Sequence, residues 1–169
     1  MSEAIATTTD FYAHALAIER EAAARYGEFA RYLEDHDRAE LADLFRHLER
    51  VEGDHARYIE RRVGAIKVSP AIAARYRWLE AGPAGAEAAV HEWIFRLIEP
   101  REALRIALEA ERRAQVFYER LAAEAQDAEV RTLALEFCEE EKEHAARLER
   151  ALAAERDPHV DWEQLFGRG

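Results

Sequence analysis

The sequence predicts an all-α protein, a four-helix bundle with a long, partly helical crossover between its second and third helices. Three observations predict it. The 169 residues are rich in Ala, Leu, Glu and Arg, all strong helix formers, and hold only 7 Gly and 4 Pro. Apolar residues recur at three- and four-residue spacing over four long stretches. Turn signals separate or bound those stretches, at Asp35-His36-Asp37, Gly64, Pro70, Gly82-Pro83, Gly85 and Asp157-Pro158.

The first helix is expected to begin near Asp10, a suitable N-cap after three threonines, and to run to about Glu34. Ala15, Ile18, Ala22, Tyr26, Phe29 and Leu33 form its inner stripe. The second is expected from about Arg38 to Val63, with Leu41, Leu44, Phe45, Leu48, Val51 and Ile59 turned inward and Gly64 at its end. The crossover, residues 65–99, breaks into two short helices, roughly 71–81 and 86–98. Its Trp78, Trp93, Ile94, Phe95, Leu97 and Ile98 are too apolar for a solvated tether and are expected to pack on the bundle or against a second subunit. The third helix opens on Pro100, where a missing N–H costs nothing, and continues to about Gln126. The fourth spans about Asp127 to Glu155, with Val130, Leu133, Phe137, Leu148 and Leu152 inward. One domain is expected: a helix pair over 10–64, a second over 100–156 and a tail over 157–169.

Charge narrows the partners. With 24 Lys plus Arg against 35 Asp plus Glu, the net charge is −11 and no basic run builds a patch, which argues against nucleic acid and for small cations. No apolar run approaches the roughly 20 residues of a membrane span, and Met1 to Asp10 lacks the pattern of an export leader. Cys138 is the only cysteine, so an intrachain disulfide and a Cys-x-x-Cys site are excluded and a cytoplasmic setting is expected.

Each inner stripe carries a polar defect. Glu19 lies between Ala15 and Ala22, and Glu111 between Ala107 and Ala114. Glu52 and His55 continue the line of Leu41, Leu44 and Leu48; Glu141 and His144 continue that of Leu133 and Phe137. Four buried, unpaired carboxylates are prohibitive, since each desolvated charge costs several kcal/mol. Lys and Arg are scarce on these stripes, so two metal ions held by oxygen and imidazole are the simplest compensation. A Glu-x-x-His pair alone is weak: 27 Glu and 7 His in 169 residues give about one by chance, and two occur. The internal repeat is stronger. Glu19 precedes Tyr26 by seven positions and Glu111 precedes Tyr118 by seven, and no other Tyr has such a Glu. The Glu-to-Glu intervals are 33 residues (Glu19 to Glu52) and 30 (Glu111 to Glu141).

Ala17-Ile18-Glu19 through Tyr26, Leu48 through Glu52-Gly53-Asp54-His55, Ala110-Glu111 through Tyr118, and Glu141-Lys142-Glu143-His144 resemble the rubrerythrin-type branch of the ferritin-like superfamily over roughly residues 10–156. The resemblance implies a ferritin-like bundle holding two iron ions, with Glu19 and Glu111 as terminal carboxylates, Glu52 and Glu141 as bridges, and His55 and His144 as nitrogen ligands. Glu140 is a weaker substitute for Glu141. Manganese or zinc suits the same donors. Tyr26 and Tyr118 are candidates to tune the site or to carry radicals, and ordinary core tyrosines otherwise.

Two departures stand out. Full-length rubrerythrins carry a cysteine-ligated rubredoxin module, which one cysteine cannot build, so a separate electron-donor protein is expected. They also have a further Glu three residues beyond the third-helix ligand, where this chain has Ala114. Bacterioferritins share the ligand pattern, but Met1 is the only methionine, so their haem ligand has no counterpart. His14, His36, His47 and His91 lack repeat partners and are read as surface or structural; His159 falls in the tail, and Cys138 beside Phe137 reads as a small hydrophobe. The function expected is reduction of hydrogen peroxide or oxygen by a di-iron site in a homodimer. The alternatives are a ferroxidase or iron-handling protein, and a metal-braced bundle without turnover.

Overall fold

A computed structural model describes residues 5, 7–64, 66–78 and 99–155. Five helices occur among them and no strand: α1 Thr8–Asp35, α2 Ala39–Val63, α3 Pro70–Arg75, α4 Pro100–Glu124 and α5 Ala128–Ala154. The architecture is the ferritin-like one: α1 packs along α2 and α4 along α5, and α1 joins the two hairpins through α4 and α5. None of these helices is long and apolar enough to cross a membrane.

Local chemistry sets the ends. Thr7, not Asp10, caps α1: its hydroxyl accepts from the Asp10 N–H while the Asp10 carboxylate accepts from the Thr7 N–H. Asp10 is thus the reciprocal partner of a capping box. Arg38 precedes α2 without a side-chain cap, since a guanidinium has no acceptor to offer the first N–H groups; it donates instead to Glu155 at the end of α5. The first crossover helix is shorter than expected. Capped by the Ser69 hydroxyl, α3 stops at Arg75, where the Tyr76 hydroxyl meets His14 Nδ1 at 2.6 Å. Pro100 opens α4 as expected. That helix ends at Glu124 rather than Gln126, and Asp127 caps α5 from outside it by accepting the Glu129 and Val130 N–H groups. The helix expected over 86–98, the residues Trp93, Ile94, Phe95, Leu97 and Ile98 and the tail 157–169 lie outside the described residues, as do His91 and His159. Trp78 is described, and it packs edge-on against Tyr26 with ring centroids 5.0 Å apart.

The core comes in two clusters. One gathers Phe11 and Ile18 of α1, Ile59 of α2, Tyr118 and Leu121 of α4, and Val130, Leu133 and Phe137 of α5. The other gathers Tyr26, Phe29 and Leu33 of α1, Phe45 and Leu48 of α2, Leu104 and Leu108 of α4, and Leu148 of α5. Burying each large apolar side chain contributes about 1.5 to 3 kcal/mol relative to exposure. Every long helix therefore crosses from one cluster to the other, and the residue at each crossing is polar: Glu19, Glu52, Glu111, and Glu141 with His144. The fold places one charged layer between two dry ones.

Candidate metal centre

Glu19 is fully buried, and Glu52, Glu111, Glu141 and His144 are nearly so. His55, also part of the layer, is half-buried. They form two groups. Glu19, Glu52 and His55 make one; Glu52, Glu111, Glu141 and His144 make the other, and within each the donor atoms lie within 4.8 Å of one another. Glu52 belongs to both. Its Oε2 is 3.3 Å from His55 Nδ1 and its Oε1 is 2.7 Å from His144 Nδ1. Glu141 sits on the His144 side, with Oε2 3.7 Å from that Nδ1. The structure thus assembles all six sequence-predicted residues and sets Glu52 between the two groups.

The tyrosines cross over. Tyr118 donates to Glu19 Oε1 at 2.8 Å, and Tyr26 donates to Glu111 Oε1, so each repeat's tyrosine holds the other repeat's carboxylate. The remaining oxygens face the histidines: Glu19 Oε2 is 3.2 Å from His55 Nδ1, and Glu111 Oε2 is 3.7 Å from His144 Nδ1. Phenol on one oxygen and imidazole toward the other fixes each carboxylate's orientation.

Protons respond strongly to this layer. Burial, reinforced by the Glu52 charge, pushes the Glu19 carboxyl up to about 8. Burial and the adjacent Glu111 carboxylate push Glu141 well above the carboxylate range. Burial acts on Glu52 in the same sense, but His144 and His55 outweigh it and hold that carboxyl well below the range. For His55 burial lowers the pKa, yet Glu19 and Glu52 overcome it and raise it to about 10. His144 is raised further by Glu111, Glu141 and Glu52, against the same burial penalty. Burial first, then the Glu19 and Glu141 charges, raise Tyr118 well above 10, so its hydroxyl stays a donor.

The donor set fits metal. Glu52 Oε1 and Oε2 and His144 Nδ1 are buried without a hydrogen bond, although the two residues approach to 2.7 Å. Buried polar atoms without a well-formed hydrogen bond are costly, and Glu52 here faces the charges of His144 and His55 instead. Two divalent cations would balance the four carboxylates and give these lone pairs a partner.

Glu140, expected as a substitute ligand, has another place. Its carboxylate lies 3.3 Å from His55 Nε2, the ring nitrogen facing away from the cluster. Ala114 is buried in the core, as its methyl group allows. His14 is buried against Tyr76, His47 meets Arg147, and His36 meets the Tyr32 carbonyl; none of them joins either group of donors. Cys138 is buried in the core.

Helix order, the polar layer and the paired Glu-x-x-His donors define a ferritin-like protein with a buried carboxylate and histidine cluster suited to two metal ions. A family model described as rubrerythrin matches residues 10–152, and the chain belongs to the rubrerythrin family. It is similar to the crystal structure of an uncharacterized conserved protein from Magnetospirillum magnetotacticum MS-1, with a TM-score of 0.76 and 32% identity over 91% of this chain and 99% of that one. No curated protein matches the chain.

Proposed function

We propose that the chain is a non-haem di-iron oxidoreductase that reduces hydrogen peroxide or oxygen with electrons from a separate donor protein. The observation that carries this is Glu52, buried, without a hydrogen bond, and directed by its two oxygens at two separate groups of donors. Glu19, Glu52 and His55 would hold one ion; Glu52, Glu111, Glu141 and His144 the other. A ferrous pair supplies one electron from each ion, the two needed to split hydrogen peroxide into two waters with two protons. Zinc, which has no redox chemistry, would fill the donors without turnover. The apolar clusters on either side keep bulk water from the layer, and the Tyr118 and Tyr26 hydroxyls hold the terminal carboxylates in place. With Cys138 as the chain's only cysteine, a cysteine-ligated electron relay must lie outside these 169 residues. Peroxide consumption by iron-loaded protein with a reductant tests the reading. Loaded protein that consumes peroxide no faster than zinc-loaded protein overturns it.

Two positioning roles are testable here. Tyr118→Phe is expected to keep both ions but lower stability by about 1 to 3 kcal/mol, because it leaves Glu19 Oε1 buried without its donor. Urea unfolding and elemental analysis check the two halves. Glu140→Ala frees His55 Nε2 of its partner, and such outer partners typically matter 10- to 100-fold in metal affinity. Metal titration is expected to show weakening of that order at one of the two sites, with the other unchanged.

A further inference from the structure

Beside the polar layer, between α1, the α3 segment and α4, lies a cavity of about 180 Å3. Arg75, Arg77 and Arg113 line it and, among the described residues, no carboxylate does, although the chain carries a net charge of −11. Among the described residues neither Arg77 nor Arg113 has an ion-pair partner. The rest of the wall is largely aromatic, from Tyr76, Trp78 and Phe117. These rings are already positioned. Tyr76 is bonded to His14 and stands edge-on to Phe117 at 5.7 Å; Trp78 stands edge-on to Tyr26, and its backbone N–H donates to Glu21. Walls ordered in advance reduce the entropic cost of binding.

We propose that this cavity binds a small organic carboxylate with a flat, apolar body. Guanidinium groups match a carboxylate in charge and in forked geometry, and the rings match the body. The volume suffices, since a cavity of roughly 150 Å3 takes up benzene. The site goes beyond the metal reading and stands without it, yet it adjoins the metal residues. On α4, Ala110, Arg113, Ala114 and Phe117 form one stripe and Ala107, Glu111, Ala114 and Tyr118 the next, with Ala114 common to both. Ile18, also in the wall, precedes Glu19. The small side chain at 114 keeps the cavity open beside the donors.

The test is calorimetric titration of the full chain, metal-free and zinc-loaded, with sodium benzoate, and with benzamide as the neutral comparison. One saturable benzoate site per chain is expected in both forms, with benzamide at least tenfold weaker. Arg77→Gln and Arg113→Gln, both at exposed positions that do not threaten folding, are expected to weaken benzoate about tenfold each. Absence of saturable binding overturns the proposal, as does equal binding of benzamide. Binding confined to the zinc-loaded form and indifferent to both arginine substitutions also overturns it, because the carboxylate would then be a metal ligand. Metal content of the same preparations reports separately on the two-ion reading.

Discussion

Loaded anaerobically with ferrous iron, the chain is expected to hold about two ions, and Glu52→Ala is expected to hold far fewer than one. No other single substitution should cost as much. Glu52 alone belongs to both donor groups, so its removal takes a ligand from each ion and the carboxylate between them. Glu19→Ala and Glu111→Ala each subtract from one group only and are expected to retain about one ion, as is His144→Ala. Elemental analysis after removal of loose metal gives the counts. Two ions retained by Glu52→Ala would show that the bridging position lies elsewhere, and no ions in the parent would remove the metal reading altogether. The contrast between substitutions matters more than any one value, because a merely unfolded variant would lose metal whichever ligand was changed. Circular dichroism of each metal-free variant separates those cases.

The six donors were legible because the sequence broke its own rule at those places. A carboxylate on an apolar stripe is costly wherever the stripe packs, so Glu19, Glu52, Glu111 and Glu141 announced a compensating charge before any contact was known. The repeat then tied the four helices together. Helix ends were less legible, since Thr7 and Asp10 both look like caps and only the reciprocal bonds show which is which. Relations across helices left no trace in the chain. Glu140 meets His55 Nε2 from a different helix, while its place four residues before His144 marked it only as a substitute for Glu141 and gave no sign of His55. The crossing of Tyr26 to Glu111 and Tyr118 to Glu19 was hidden for the same reason: spacing pairs each tyrosine with the carboxylate of its own helix, while packing pairs it with the opposite one. The arginine-lined cavity draws on three elements: Ala110, Arg113, Ala114 and Phe117 share a helical period on α4, but nothing in that stripe names Ile18 or Arg75 to Trp78 as the facing wall.

Metal-free protein is expected to lose stability as the pH rises from 5 to 9. In the folded state Glu19 keeps its proton up to about 8, against an ordinary value of 4.5, so its favourable contribution is present below 4.5 and is lost as the pH rises through 8. Glu141 is raised in the same direction. His55 keeps its proton up to about 10 against an ordinary 6.5, and its contribution is present below 6.5 and lost through 10; His144 acts in the same sense. Glu52 is shifted the other way. Its contribution is complete above the ordinary carboxylate value and is lost only as the pH falls toward its depressed folded value, so it stays flat across this window. Each proton held by the folded state and released on unfolding contributes about 1.4 kcal/mol per pH unit, which makes the slope measurable by urea unfolding at pH 5, 7 and 9. Metal reverses the balance. Ions replace the protons on the same donors, so their binding releases protons and strengthens with pH. The stability difference between loaded and metal-free protein is therefore expected to widen from pH 5 to 9. Metal-free protein that grows more stable over that range would mean that the buried layer carries its charges without holding protons, contrary to the electrostatics of this site.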